Sequence, residues 1–296
     1  MTGRLILWLC VIWLVPLMYV MLRNETKFKK NIALGVTLPY QGRTDPEVVA
    51  LLARFKRQLG LVCLVLLAMA VGGIFLPVSF GVSLTLFLVW TDLCIVLPYL
   101  PYVACNRKLK QLKAERGFYV DSDDKWIWGL FYYDPHDSHL IINNRVGSGT
   151  TVNLARRGGQ VLVGIVAALL IFMPLVGVGV MAEERSPVTL ELTDTRLVAA
   201  HGGSEYEVAL EDILQAELLD QRPTGLTRTW GTAMDSVLKG QYRSPDYGAV
   251  TLCLDPRTGP WLLVVTREGK TYLFGAPGST EGVYEALISG TTPADR

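Results

Sequence analysis

The chain has 296 residues, half of them hydrophobic and 19% charged, with a mean hydropathy of +0.32 and a formal net charge of +1. The charge fraction is below the ~25% of an average soluble domain, and the composition excludes a disordered chain, a collagen, a coiled coil and, with only five cysteines, a small disulfide scaffold. The near-zero total conceals a split. Residues 1–181 carry 18 Lys and Arg against 10 Asp and Glu, whereas residues 182–296 carry 10 against 17, so a basic apolar front and an acidic tail read as separate objects.

Four apolar runs, 5–22, 59–78, 82–104 and 160–181, approach the ~20 residues that cross a hydrocarbon core. The first, flanked by Arg4 and Arg23, exceeds a signal-peptide apolar region and has no Ala-x-Ala site before Arg23, so it reads as a retained anchor. Domain organisation follows: three spans within 1–104 with a basic loop over 23–58, a loop over 105–159, a fourth span over 160–181, and a tail domain over 186–290. Lys and Arg crowd 23–58 and 105–159, while the turn 79–81 carries no charge. The charge rule places both basic loops in the cytoplasm and predicts that the N-terminus and the tail lie outside. Four cysteines lie in or beside spans, and Cys253 is alone in the tail, so no disulfide forms there.

Asp92 sits inside the third run. An intramembrane carboxylate is costly and is a functional-site hypothesis by default. Its structural alternative is a protonated side chain bonded to Thr91 or to a carbonyl freed by Pro98 or Pro101. Small residues in spans two and four, Gly72, Gly73, Gly164, Gly177 and Gly179 among them, permit close helix contact.

In the first loop Asp45-Pro46 reads as a helix cap and first turn, the helix running to about Gln58 and on into span two. The second loop begins with a basic helical stretch over 106–116 and an acidic turn, Asp121-Ser-Asp-Asp124. Aromatic and β-branched runs on either side of Asp134-Pro-His-Asp137 predict one small hairpin. Trp126, Trp128, Tyr132 and Tyr133 suit a membrane–water boundary. His136 and His139 with Asp134 and Asp137 have metal-ligating chemistry but occupy one short turn without a second half, so no metal site is expected.

The stretch Trp128-Gly-Leu-Phe-Tyr-Tyr-Asp-Pro through Asn153-Leu-Ala resembles a short module in uncharacterised bacterial multi-span membrane proteins. Gly147, Thr151 and Asn153 fit its later positions, while Asp134 replaces Asn and His139 replaces Arg. The first loop, Ala33-Leu-Gly-Val-Thr-Leu-Pro, is similar to a loop of the same proteins and of relatives of bacteriocin-immunity membrane proteins.

From Pro187 the pattern is strands, over 188–193, 196–200, 206–210, 214–219, 249–254, 261–266 and 271–274, with a long loop over 220–247 and a closing helix over 279–289 that Thr280 caps. Arg228-Thr-Trp-Gly, Leu238-Lys-Gly-Gln-Tyr-Arg243 and Thr266 through Phe274 resemble motifs of the bacterial pleckstrin-homology-like (PH-like) domain. Trp230 replaces the usual Asn. The expected fold is a membrane protein with four α-helical transmembrane spans, read from the apolar runs, plus a C-terminal β-barrel or sandwich with one capping helix, which the resemblance implies is PH-like. Arg222, Arg228, Trp230, Lys239 and Arg243 are the candidate ligand residues. No hydrolase, metalloprotease or phosphate-loop motif occurs in the tail. The expectation is a non-enzymatic membrane protein without cofactor or nucleic-acid partner, embedded in the lipid bilayer, whose tail binds a protein, peptide or envelope component in a sensor, immunity or scaffold role. A small transporter or channel using Asp92 is the alternative.

Overall fold

The computed structural model describes residues 2–118, 122–145 and 149–290. Asp121 and Gly147, assigned above to the acidic turn and the glycine-bearing stretch, lie outside the described residues. The chain divides into two compact units, Met1–Val178 and Gly179–Arg296.

In the first unit α1 (Thr2–Val11) and α2 (Leu14–Asn24) share the first apolar run. Pro16 has no N–H to offer the Ile12 carbonyl, which accepts from Val15 at 3.3 Å instead, and the helix breaks there. β1 (Ile32–Ala33) and β2 (Val36–Thr37) form a short hairpin. α3 (Pro46–Phe75) follows, capped by the Asp45 carboxylate, which accepts from the Glu47 N–H at 2.8 Å. It is continuous for 30 residues, so the amphipathic stretch and the second apolar run are one helix. α4 (Phe80–Val96) and α5 (Tyr99–Glu115) share the third run. The single span expected over 82–104 is divided at Leu97-Pro98, where proline again withholds a backbone donor. Among the described residues, four segments are long and apolar enough to cross a membrane: Leu5–Asn24, Pro46–Phe75, Phe80–Glu115 and Arg157–Arg185.

Helices α1 to α5 enclose one core around Trp8, Phe55, Leu66, Trp90 and Tyr102. The Trp90 indole donates to the Leu66 carbonyl at 2.9 Å. Trp8 stacks edgewise on Phe87 and fills a notch that exists because residue 73 has no side chain. The last helix, α6 (Arg157–Arg185), is different. It buries only Gly159 and Gly177, and a Cβ on Gly177 would stand 2.6 Å from the Thr85 Cα in α4. The small-residue reading therefore holds at Gly73 and Gly177, whereas a Cβ on Gly72, Gly164 or Gly179 would meet open space. The remaining apolar surface of α6, including Leu169, Ile171 and Phe172, faces outward.

Between α5 and α6 the aromatic segment makes two hairpins rather than the one expected. β3 (Trp126–Ile127) pairs with β4 (Phe131–Tyr132), and β5 (Ile141–Asn143) pairs with β6 (Thr150–Val152). The first reverses through Trp128 and Gly129, both at positive φ. The Asp134–Asp137 turn joins the two hairpins instead of closing one.

Among the described residues the second unit has nine strands in two sheets. β7 (Val188–Leu192), β8 (Arg196–His201) and β9 (Ser204–Ala209) form an antiparallel meander. The other six are β10 (Ile213–Leu219), β11 (Thr227–Ala233), β12 (Leu238–Ser244), β13 (Gly248–Leu254), β14 (Trp261–Thr266) and β15 (Thr271–Gly275). They form one open sheet in the order β10-β14-β15-β13-β12-β11, with β13 and β15 parallel. No barrel closes. The helix α7 (Thr280–Ser289) packs with the first sheet over a core including Leu197, Cys253, Leu262 and Phe274. A second cluster around Tyr242, Leu252, Trp261 and Leu273 lies on the opposite face of the large sheet. Thr280 hydrogen-bonds both backbone groups of Ala276 rather than the first turn of α7.

The loop expected over 220–247 contains β11 and β12. Gly231 and Gly240 pair across the two strands at φ of +116° and +110°. A Cβ on Gly240 would lie 2.5 Å from the Trp230 carbonyl, so the strands meet at a distance only glycine allows.

Candidate functional site

In the first unit the two stretches that carry the module resemblance come together. Gly35 of the first loop and Gly129 of the aromatic hairpin touch backbone to backbone: a Cβ on either would lie 2.5 Å from the Cα of the other. Beneath them is a buried ionic junction. The Asp123 carboxylate accepts from Lys113 of α5 at 2.7 Å, from the Thr37 N–H at 3.1 Å, and from Arg145. Arg145 also donates to the Gly35 carbonyl at 3.1 Å and to Thr37 Oγ1 at 2.6 Å, with its guanidinium over the Trp126 ring. Lys110 donates to the carbonyls of Asp123 and Trp126. All three side chains of the ion pairs are at most 9% exposed. The low dielectric makes each attraction strong and the loss of any partner costly.

A second clasp closes the module. Asn153 is fully buried; its amide accepts from the N–H of Asp134 and donates to the carbonyls of Asp134 and Asp137. Lys125 sits 2.6 Å from Asp134 and, with the His136 N–H, holds that carboxyl down at about 2. His139 hydrogen-bonds Asp137 at 2.7 Å. The acids of this turn thus organise its own backbone.

Trp126 and Tyr132 do not meet a boundary. They are buried against each other, ring centroids 5.4 Å apart. Trp128 and Tyr133 are exposed, with Arg107 over the Trp128 ring. Tyr133 follows Tyr132 directly and faces the opposite way, whereas Trp128 lies past the end of β3 in the reversal, at positive φ. Asp92 sits on α4 with Oδ1 buried and without a hydrogen bond. Thr91 donates to the Phe87 carbonyl of its own helix, so it is not the partner that the sequence suggested.

In the tail the five candidate ligand residues fall into three environments. Arg222 and Arg228 line a cleft of about 470 Å³ whose walls include Leu226, Leu238 and Tyr242. Trp230, 79% exposed, lies on the other face, because a bulge between Arg228 and Trp230 breaks the alternation that would have placed them together. Arg243, on the strand face shared with Gln241, is exposed beside it. Lys239 is buried and ion-paired with Glu183, and donates to the His201 carbonyl at 3.2 Å. It is a structural cation and does not serve the cleft. The Tyr242 hydroxyl donates to the Thr232 carbonyl at 2.6 Å; burial raises the phenol, and Arg228 partly offsets this. Cys253 is fully buried, its thiol pushed up to about 12 by desolvation. The cleft was not legible in the sequence, because it depends on β11 and β12 being strands.

A scan against protein-family models gave no match, and searches of curated proteins and of solved structures found no relative.

Proposed function

We propose that the chain is a non-enzymatic bacterial integral membrane protein whose tail domain binds an acidic segment of a partner protein, peptide or envelope component, in a sensor, immunity or scaffold role. The observation that carries this reading is the tail cleft. Its volume is in the range of ligand sites, its walls are largely apolar, and its two charged lining residues are arginines. The planar guanidinium is suited to carboxylates. The PH-like reading of the tail rests on its motifs and its single closing helix; the parallel pairing of β13 and β15 departs from a simple antiparallel meander.

The test is a thermal-shift titration of the full chain in detergent micelles with a decapeptide of Glu and Leu. A ligand at a hundred times its Kd stabilises by about 2.7 kcal/mol. The Arg222→Glu/Arg228→Glu double variant is expected to lose this response. Trp230→Ala and Asp92→Asn, the latter disabling if the chain is instead a transporter, keep it. An unchanged response in the double variant would falsify the cleft reading.

The charge distribution supports an extracytoplasmic tail. Because Cys253 is inaccessible, a membrane-impermeant thiol reagent reports orientation through the exposed site Glu281→Cys. Labelling of intact cells is expected; labelling only after lysis reverses the orientation.

A further inference from the structure

The first unit contains a cavity that no motif announced. It measures about 280 Å³ and is lined by Glu25, Tyr99, Tyr102, Asn144 and Arg145 together with the ends of α2 and the Gly35–Gly129 contact. It therefore lies where α2 leaves the first apolar run and the loop junction begins.

Glu25 is half-buried here. Among the described residues no hydrogen bond or ion pair reaches its carboxylate, and Lys29 acts on it through space without pairing. Tyr99 and Tyr102 line the same cavity as this carboxylate. The two rings meet edge to face with centroids 6.0 Å apart, and Tyr102 is 2% exposed, fixed from behind by Phe55. Arg145 on the far wall is already committed to Asp123, Thr37 and Gly35, so it does not neutralise Glu25. The result is an unpaired acid and two tyrosine rings lining one partly desolvated hollow.

That combination has a defined complement. A carboxylate attracts a cation, and aromatic faces attract one most strongly when water is excluded. A hydrated metal ion demands several oxygen ligands in fixed geometry, and one carboxylate does not supply them. We infer that this cavity binds an alkylammonium group, with Glu25 as its counter-ion and the Tyr99 and Tyr102 rings as its walls. The group belongs either to a small free amine or to the ethanolamine headgroup of a phospholipid. In the second case the headgroup phosphate faces Asn144 and Arg145.

The experiment uses the full chain and two arms. In detergent micelles, ethanolamine is titrated against ethylene glycol, its uncharged analogue, at constant ionic strength, and the thermal midpoint is followed. In nanodiscs, phosphatidylethanolamine is compared with phosphatidylglycerol alone. A saturable rise with ethanolamine and none with ethylene glycol identifies a free amine. A rise confined to phosphatidylethanolamine nanodiscs identifies the headgroup. In whichever arm responds, Glu25→Gln abolishes the response while unfolding stays cooperative, and Tyr99→Leu weakens the apparent affinity at least tenfold. Tyr102→Phe, which keeps the ring, retains it. No response in either arm, or an undiminished response in Glu25→Gln, overturns the inference.

Discussion

Asp123→Ala is expected to cost the first unit about 3–5 kcal/mol of unfolding free energy, because it removes the buried carboxylate that pairs with both Lys113 and Arg145. The carboxylate also accepts from the Thr37 N–H, so the first loop loses its tie to the aromatic hairpins at the same time. Denaturant unfolding of the full chain in detergent micelles, followed by tryptophan emission, measures the effect. Trp126 lies under Arg145 and reports locally. The design includes Lys113→Met in both backgrounds. Alone it should be destabilising, since it removes one partner. With Asp123 already replaced it should cost less than it does alone, because the ion pair it would break is already gone. A loss below about 1 kcal/mol, the scale of an exposed ion pair, would sink the idea that the junction organises this unit.

Gly129→Ala is expected to cost about 2–4 kcal/mol, combining backbone strain with a clash against a packed neighbour. Gly129 has φ of +72°, and the added methyl would lie 2.5 Å from the Gly35 Cα, which is main chain and has no rotamer through which to escape. Gly117→Ala separates the two causes. Its φ is +61°, but nothing lies within 4 Å of the added carbon, so it carries strain alone and should cost roughly 1 kcal/mol. The readouts are the thermal midpoint and tryptic cleavage at Lys29, Lys30 and Arg43, which should quicken in Gly129→Ala as the loop lifts from the hairpin. Equal effects of the two substitutions would show that the glycine contact is not what joins them.

These two sites show where reading residues in a line stops. Gly35 and Gly129 each belong to a stretch with a family resemblance, but nothing local says that one rests on the other. Their contact is made by α5, which presents Lys110 and Lys113 to the acidic turn and Asn106 to the Leu34 carbonyl. The same limit applies to Arg145. It is one basic residue among many in its loop, and only burial turns it into the partner of Asp123. The expected ligand cluster in the tail was a cluster in sequence alone. A bulge and a buried ion pair distributed its members over two faces and an interior.

Features that depend on periodicity and composition were legible from the residues. Long apolar runs must become helices wherever water is absent, because no other local structure satisfies their backbone. Asp45-Pro46 starts α3 because a carboxylate and a missing N–H answer the needs of a first turn. Seven of the tail strands were legible as short runs set between turn residues, the first of them by alternation. What only the folded chain decided was everything set by long-range approach: two hairpins instead of one, β11 and β12 built across facing glycines, β15 inserted between β13 and β14, and the two hollows. These depend on which surfaces are buried together, and burial is a property of pairs of segments far apart in the chain.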